Sequence, residues 1–465
     1  MKSFAIGTSK IPQPPHPTRL RRLTFSHLDC MTSSPHPMKI IRHTDPDYAS
    51  ATAALNRRAE ASDAVREVVA GVIKAVRERG DAAVLELTAK FDGAHLSAAQ
   101  MRVPQAELDA AWDAADPIFK RALESSHRNV TAFAQRSMRQ GWEFTNEQGA
   151  TVGEVFHPFE RVGCYVPGGT APLVSTSIMT VAIAAAAGVP EIVVCTPCGQ
   201  DGTVNPGLLA ALKLAGATEV YKIGGSQAIA ALAFGTETIR PVVKIFGPGN
   251  SYVVEAKRQA FGVVSIDLLP GPSEVLILAD QSGNPAFIAA DILAQAEHGK
   301  ESMAGFLTDD AALLEAVVAQ VEEQSKTLSR QAQLAPVLEK GVFLMLVPSL
   351  EDGARLANDF APEHLTLITT REGAILPLIR TAGAIFLGNH SPVAVGDFLA
   401  GPSHTLPTGG SGKSFPGITA DMFQRRTSII RLDRESCAKS EPIVSAISAV
   451  EGLDAHARSV SIRAS

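Results

Sequence analysis

Residues 219–250 read EVYKIGGSQAIAALAFGTETIRPVVKIFGPGN. The run at 219–223 is typical of an apolar strand and leads into Gly224-Gly225. Residues 227–234 have the composition of a helix, and 243–246 form a second apolar run that leads into Gly247-Pro-Gly-Asn250. A strand, a helix and a strand joined by glycine turns predict a parallel, Rossmann-like sheet.

The same alternation extends in both directions. Upstream, strands are predicted at 163–166 and 191–195, and helices at 175–187 and 207–214. Downstream, a second α/β unit begins near residue 263, with strands at 275–279, 303–307, 342–347 and 384–387 and helices at 285–298, 311–329 and 350–360. A chain of 465 residues is too long for one core, so two or more domains are expected.

Composition excludes several classes of protein. The net charge of −6 and the lack of a basic patch argue against a nucleic-acid binder. No apolar run reaches the roughly 18 residues that a membrane span needs. The cysteines are sparse and odd in number, which predicts reduced thiols and a cytoplasmic location. Cys195 and Cys198 form a CxxC at a strand end, where buried small residues beside a turn are favoured over a redox or zinc site.

The ends of the chain differ from its middle. Residues 1–37 combine clustered Pro and His with basic residues and a single acid, which predicts a disordered extension or a start assigned too far upstream, with a transit peptide as the alternative. Residues 46–140 have helical periodicity. The Gly- and Ser-rich stretch 409–417 predicts a flexible loop, and 440–464 predicts one helix that carries Glu451 and His456.

Glycine turns that follow strands and precede helices can present backbone N–H groups to a phosphate. The turns at 167–169, 224–225 and 247–250 have this position, but none contains GxGxxG. Nucleotide binding and plain turn chemistry therefore both remain open at this point.

Four side chains have the donor chemistry of a metal site. Gln295 and His298 stand three apart on a predicted helix and so face the same side. Asp397 offers a carboxylate, and His456 offers a second imidazole. Together these nitrogen and oxygen donors suit zinc or a similar divalent ion. Each residue also has an ordinary structural interpretation, such as a surface histidine or a helix cap.

An acid and a base stand side by side at Glu363-His364, where they could divide two successive proton transfers. Pro362 is expected to keep Ala361 extended and so to fix the approach to the pair. His404 follows Asp397 by seven residues and can reach the same pocket, and Ser273 lies in a turn that could meet a ligand. A surface loop pair is the alternative for Glu363 and His364.

Eight segments together closely resemble the histidinol dehydrogenase family, in that family's order and over about residues 46–465. They are RVGCYVPGGTAPLVSTSIM (161–179), IGGSQAIAALAFGTETI (223–239), KIFGPGNSYVVEAKRQAFG (244–262), DLLPGPSEVLILAD (267–280), LAQAEHG (293–299), APEHL (361–365), GDFLAGPSHTLPTGG (396–410) and EGLDAH (451–456). The loop at 408–417 departs from the form most associated with the family, and residues 1–37 are foreign to it.

The resemblance implies a zinc-containing, NAD-dependent enzyme that oxidises L-histidinol through bound L-histidinal to L-histidine, using two NAD and one water. Gln295, His298 and Asp397 would bind one zinc ion, with His456 of the partner subunit as the fourth ligand. His364 would be the base of the alcohol step, and Glu363 would activate water in the aldehyde step.

The resemblance also assigns binding residues. Substrate contacts would come from Ser273, His404 and Glu451 of the partner subunit, besides the zinc ligands and His364. NAD contacts would come from Tyr165, Gln227 and Asn250.

The implied fold has two incomplete Rossmann-like domains in an intertwined homodimer. The predicted division is a helical segment at 38–59, a first domain at 60–163 plus 274–417, a second, NAD-side domain at 164–273, and a dimerisation segment at 418–465. Two alternatives are kept: a paralogous zinc/NAD dehydrogenase of another small alcohol, and a zinc hydrolase. A partner carboxylate at position 451 favours an imidazole-bearing substrate.

Overall fold

Parallel strands form the frame of the protein, as described by a computed structural model for residues 38–58, 61–168 and 172–464. The predicted extension at 1–37 and Gly169 of the predicted turn lie outside the described residues. The strands are β1 (Lys39–Arg42), β2 (Trp142–Thr145), β3 (Thr151–Pro158), β4 (Arg161–Tyr165), β5 (Glu191–Thr196), β6 (Glu219–Lys222), β7 (Lys244–Phe246), β8 (Ser265–Ile266), β9 (Glu274–Ala279), β10 (Met303–Thr308), β11 (Val342–Leu346), β12 (His364–Ile368), β13 (Ala384–Leu387) and β14 (Gln424–Arg431).

Helices connect and cover these strands. They are α1 (Tyr48–Ala53), α2 (Asp63–Asp92), α3 (Ala98–Met101), α4 (Gln105–Ala114), α5 (Pro117–Ser137), α6 (Val174–Thr176), α7 (Ile183–Ala186), α8 (Pro206–Ala215), α9 (Gly225–Phe234), α10 (Ser251–Ala260), α11 (Pro285–Ala296), α12 (Ala311–Ser325), α13 (Gln331–Lys340), α14 (Leu350–Phe360), α15 (Glu372–Ile375), α16 (Val393–Phe398), α17 (Arg434–Glu451) and α18 (Asp454–Ala464). A π-helical segment, Ser177–Ala182, joins α6 to α7, and single 3₁₀ turns occupy Leu376–Leu378, Ser411–Lys413 and Ala420–Phe423.

Two sheets are wholly parallel, which confirms the predicted α/β architecture with parallel sheets flanked by helices. One has the order β6-β5-β4-β7-β8, and the other has the order β1-β11-β10-β9-β12-β13. When β4 and β9 are each counted as the first strand, both sheets have the 3-2-1-4-5 order of a Rossmann-type sheet, with β1 added at one edge. The point at which the strand order reverses lies between β4 and β7 in one sheet and between β9 and β12 in the other.

The central strand β9 is buried along its whole length because helices cover both faces of its sheet. Val275 and Ile277 belong to one apolar core, and Leu276 and Leu278 belong to the core on the opposite face. Parallel strands covered on both faces have continuous apolar sequences, so a run such as EVLILA has no polar alternation.

The helices between α2 and α5 correct the predicted domain division. Val69 and Val72 of α2 share a core with Val193 of β5 and Ile229 of α9. Leu123 of α5 and the strand β4 share a second core. These helices therefore cover the five-stranded sheet, and the prediction that 60–163 joins 274–417 is wrong for them, because their apolar stripes match α8, α9 and α10.

The C-terminal segment also differs from the expectation of a single helix. Strand β14 pairs antiparallel with β3, which also pairs with β2, and a helical hairpin of α17 and α18 follows. The break falls at Gly452, whose φ of 69° ends α17 in the left-handed conformation that glycine adopts without strain. Glu451 and His456 consequently lie on different helices.

The Gly-rich stretch predicted as flexible is packed into the protein. Thr408 Oγ1 accepts a hydrogen bond from Gly271 N, and Gly409 N donates to Glu274 Oε1 over 3.1 Å. Gly410 has a φ of 79°, and a Cβ there would collide with the carbonyl oxygen of Arg57. The glycines of this stretch therefore serve close backbone approach rather than freedom of movement.

Two smaller expectations concern membrane spans and the Cys195–Cys198 pair. In the described part of the chain, no helix has both the length and the apolar character needed to cross a bilayer. Cys195 and Cys198 are buried free thiols, and Cys198 Sγ lies 3.8 Å from the carbonyl oxygen of Lys222, which fits the packing interpretation.

Candidate active site

The acid–base pair lies at the amino-terminal edge of the six-stranded sheet, beside the strand-order reversal. His364 is the first residue of β12 and is paired with Val275 of the neighbouring strand β9. Ser273 directly precedes β9, and Glu363 directly precedes β12. Adjacent parallel strands that begin at the same level therefore bring these three side chains together.

Glu363 is buried, and Oε2 accepts two hydrogen bonds from the start of β9. Ser273 Oγ donates over 2.6 Å, and the backbone N–H of Glu274 donates over 2.8 Å. Burial raises the pKa of Glu363 above its usual value, while His364 and these two donors oppose the rise. Ser273, which was predicted to contact the substrate, contacts Glu363 in this structure.

His364 is held at one ring nitrogen, and the other faces a carboxylate. Nδ1 lies 3.1 Å from the carbonyl oxygen of Glu274, and Nε2 lies 3.4 Å from Asp397 Oδ1 without forming an aligned hydrogen bond. A proton on Nδ1 satisfies the carbonyl and leaves Nε2 as the reactive nitrogen. Burial lowers the pKa of His364, but the negative charges of Glu363 and Asp397 outweigh burial and raise it to about 9.

The approach to the pair has an unusual backbone. Ala361 follows α14 with a φ of 50° and a ψ of 66°, so the prediction that it is extended is wrong. It is the one non-glycine residue with positive φ in the described ranges. Its N–H donates to Ala357 O over 2.8 Å, which ends α14 and turns the chain into Pro362 and Glu363. A strained residue two positions before a buried acid is typical of a functional site.

Asp397 of α16 connects the pair to further imidazoles. Burial raises the pKa of Asp397, but His364, His404 and His298 surround the carboxylate and hold its pKa below the usual range. His404 Nε2 lies 3.4 Å from Thr176 Oγ1, on the segment that precedes the π-helical turn. Thr176 is fully buried and was not predicted, because only the fold brings it to His404.

Gln295 and His298 occupy the C-terminal end of α11. This helix ends at Ala296, two residues earlier than predicted, but the turn continues because His298 N donates to Gln295 O over 3.2 Å. Gln295 is buried, and its Nε2 has no hydrogen-bond partner. An orphaned amide in the same helical turn as His298 fits a ligand site, because exchange of the amide atoms would turn the carbonyl oxygen inward.

The candidate metal ligands of the described residues do not form a complete metal site within one chain. Over the described ranges, no group of three or more His, Cys, Asp or Glu side chains could hold a metal ion. The candidate set from one chain contains a glutamine amide, one imidazole and one carboxylate, which are donors that zinc accepts. Glu451 and His456 are exposed on the C-terminal hairpin, and among the described residues no hydrogen bond or ion pair joins them to the cluster.

The NAD candidates lie at the carboxyl edge of the five-stranded sheet, where doubly wound sheets bind ligands. Tyr165 ends β4, and its hydroxyl accepts a hydrogen bond from Gly225 N over 3.1 Å. Both amide atoms of Gln227 are buried without partners. Asn250 Oδ1 accepts from Tyr252 N and Val253 N, each over 3.1 Å, and so caps α10. Tyr165 and Gln227 thus meet at Gly225, whereas the contacts of Asn250 are those of a helix cap.

The two parallel sheets and the buried acid–histidine–carboxylate cluster define the chain as an α/β enzyme. A model of histidinol dehydrogenase matches residues 55–464. A histidinol dehydrogenase of Syntrophotalea carbinolica is 44% identical over 92% of this chain and 99% of its own length. That of Rhizobium meliloti is 45% identical over 88% of this chain and 94% of its own length.

A crystal structure of histidinol dehydrogenase from Elizabethkingia anophelis agrees with the fold. It superimposes with a TM-score of 0.88 at 34% identity, over 93% of this chain and 99% of that chain. The chain therefore belongs to the histidinol dehydrogenase family of oxidoreductases, as the eight segments predicted.

Proposed function

We propose that this oxidoreductase of histidine biosynthesis is a zinc-dependent L-histidinol dehydrogenase, which makes L-histidine from L-histidinol through bound L-histidinal with two NAD and one water. The observation that carries the proposal is the buried contact of His364 with both Asp397 and Glu363, since a base and an acid with separate partners can serve two successive oxidations.

The metal would be held by Gln295, His298, Asp397 and His456 of the partner subunit. A divalent ion there would take the substrate amine and an imidazole nitrogen as ligands, while NAD would accept one hydride in each oxidation. The orphaned Gln295 amide and the histidines around Asp397 support this ligand set. Substrate contacts would come from Ser273, His404 and Glu451 of the partner subunit, whose carboxylate suits an imidazole.

His364 would act in the alcohol step. Its Nε2 takes the hydroxyl proton of the substrate as the carbinol hydrogen leaves as hydride, and the aldehyde forms. In the neutral imidazole the carbonyl of Glu274 holds the proton on Nδ1 over 3.1 Å, so the accepting lone pair is on Nε2 and faces Asp397. A divalent ion bound to Asp397 would offset the carboxylate charge that otherwise favours the protonated ring. This orientation directs the lone pair of the base towards the place where a metal-held alcohol would lie.

Glu363 would act in the aldehyde step. Both of its hydrogen bonds among the described residues fall on Oε2, which leaves Oε1 to accept a proton from water as the water adds to the aldehyde carbon. His364 releases its first proton to solvent before the second oxidation. The anion of the hydrate then loses its carbon-bound hydrogen as a second hydride, His364 takes the remaining hydroxyl proton, and the carboxylate of the product remains.

Tyr165, Gln227 and Asn250 are proposed to line the NAD site. The unpartnered amide of Gln227 and the turn at Gly225 support that role, because buried polar groups need a partner from a ligand or water. A homodimer with shared active sites is also proposed, since the C-terminal hairpin exposes Ile443, Ile447 and Val450. The free buried cysteines fit the predicted cytoplasmic location.

Separate substrates test the two roles. Glu363→Gln keeps the size of the side chain and its contact with Ser273, so NADH formation from L-histidinal should fall at least ~100-fold while the first oxidation of L-histidinol persists. His364→Asn should suppress the oxidation of L-histidinol. Equal loss of both oxidations in Glu363→Gln would refute the division of roles, and absence of any NADH with wild-type protein and L-histidinol would refute the function.

A further inference from the structure

We infer that Arg57 is a positioning residue for the catalytic pair and acts through Glu274; the inference rests on the proposed roles of Glu363 and His364. Neither Arg57 nor Glu274 is needed for any chemical step above. Both are buried at the amino-terminal edge of the six-stranded sheet, with side chains 9% and 2% exposed.

Arg57 contacts two chain segments at once. Its Nη2 forms an ion pair with Glu274 Oε1, at the start of β9, and its Nη1 donates to the carbonyl oxygen of Phe360 over 2.9 Å. The guanidinium also stacks on the Phe360 ring, with Cζ 3.5 Å from the ring centroid. Because a guanidinium is planar and forked, it can hold both partners in one geometry, which a lysine ammonium cannot.

The two segments that Arg57 contacts are those that orient or carry Glu363 and His364. The N–H of Glu274 donates to Glu363 Oε2, and its carbonyl oxygen lies 3.1 Å from His364 Nδ1. The main chain of Glu274 thus orients both catalytic side chains. Phe360 is the last residue of α14, and only Ala361 and Pro362 separate it from Glu363.

The ion pair holds Glu274 in the one orientation that these contacts allow. Gly409 N adds a hydrogen bond to Oε1 over 3.1 Å, and Oε2 is buried without a hydrogen-bond partner. Loss of Arg57 would leave a buried carboxylate uncompensated next to Glu363, so Glu274 would turn away and shift the start of β9. A shift of about 1 Å at reacting groups can lower a rate about 100-fold.

The inference also gives the N-terminal segment a role. Arg57 lies beyond α1 and is 217 residues from Glu274 in sequence, so this segment closes over the start of β9 from outside the βαβ units. The packed loop at Gly409 and Gly410 meets Arg57 and Glu274 from the other side.

The experiment compares Arg57→Met with Arg58→Met, which removes the same charge from the adjacent exposed position. For the metal-loaded enzyme, kcat and KM are measured with L-histidinol and with L-histidinal, together with the thermal midpoint and the metal content per chain. Arg57→Met should lower kcat for both substrates about 10- to 100-fold at nearly unchanged KM and metal content, Arg57→Lys should recover part of the loss, and Arg58→Met should behave as wild type.

A purely structural role predicts a different pattern, in which the thermal midpoint and the yield of folded protein fall while kcat per metal-loaded chain stays at the wild-type value. That result would overturn the inference. If Arg57→Met does not fold, Arg57→Met/Glu274→Gln removes both charges and decides the question, since wild-type kcat in this variant would also overturn it. Inactive wild-type protein would instead count against the proposed function.

Discussion

Replacement of Lys257 by methionine tests whether a buried ion pair holds the turn after β7. Lys257 and Asp267 are paired with both side chains fully buried. Lys257 Nζ also donates to Gly247 O over 2.9 Å, and Asp267 Oδ2 accepts from Gly247 N over 2.7 Å. The pair therefore holds both backbone groups of Gly247, whose φ is 112° and whose Cβ, if present, would collide with Tyr165 O.

The expected loss of stability is large because methionine leaves the carboxylate of Asp267 buried without a counter-charge. Removal of one partner from a buried pair costs about 3–5 kcal/mol. Asp267 keeps its hydrogen bonds from Gly247 N and Leu268 N, so the low end of that range, about 3 kcal/mol, is expected. The matched control is Lys213→Met, whose ion pair with Asp109 is on the surface and should contribute little.

Urea unfolding followed by Trp112 fluorescence measures the difference, because Trp112 packs against the core of the five-stranded sheet. The KM for NAD should rise in Lys257→Met and not in Lys213→Met, since the turn at Gly247 leads to Asn250. Equal free energies of unfolding in the two variants would refute the reasoning.

Other changes test separate parts of the structure. The ion pair with Arg161 holds the pKa of Glu219 at about 2, so its stabilisation is complete above pH 4.5 and is lost as the pH falls towards 2. The difference in urea midpoint between wild type and Glu219→Gln should therefore narrow below pH 4.5; a constant difference would contradict this. Gly410→Ala should lower the free energy of unfolding by about 2 kcal/mol, measured by urea titration, because alanine rarely adopts the positive φ of this position and its Cβ would collide with the carbonyl oxygen of Arg57. Gly373→Ala is the control, since no atom lies close to that position.

The parallel sheets could be predicted because their signals are local. Residues 275–278 are apolar on both faces of β9, and Ser349, directly before the predicted helix 350–360, caps α14, with Ser349 Oγ accepting from Asp352 N over 3.1 Å. Such signals fix the type of element without fixing its neighbours. The predicted partner sheet of α2 was wrong for this reason, since a stripe such as Val69 and Val72 fits any apolar helix face.

The other features that the sequence analysis missed or predicted wrongly depend on tertiary contacts. Strand β14 was not predicted because QRRTSIIR is mostly exposed and takes its structure from pairing with β3. Ala361 was expected to be extended because a proline follows it, yet the end of α14 imposes the left-handed conformation. The stretch 409–417 resembles a flexible loop by composition, and only the approach of Arg57 and Glu274 shows why glycine is needed there.

The candidate site was predicted by a resemblance more than by spacing. His364 and Asp397 are 33 positions apart in sequence, and no helical or strand periodicity connects them. The structure brings them within 3.4 Å at Nε2 and Oδ1 because β12 begins at the sheet edge to which α16 returns. The contributions of Arg57, Glu274 and Thr176 carry no sequence signal of their own.

The most direct test of the proposed chemistry is the number of NADH molecules formed per L-histidinol consumed. Absorbance of NADH is followed to completion with limiting L-histidinol, using the wild-type enzyme loaded with zinc and the same enzyme treated with a chelator. The account predicts two NADH per L-histidinol and one L-histidine formed, with both lost after chelation and restored by zinc. One NADH per L-histidinol, or full activity after the metal has been removed, would contradict it.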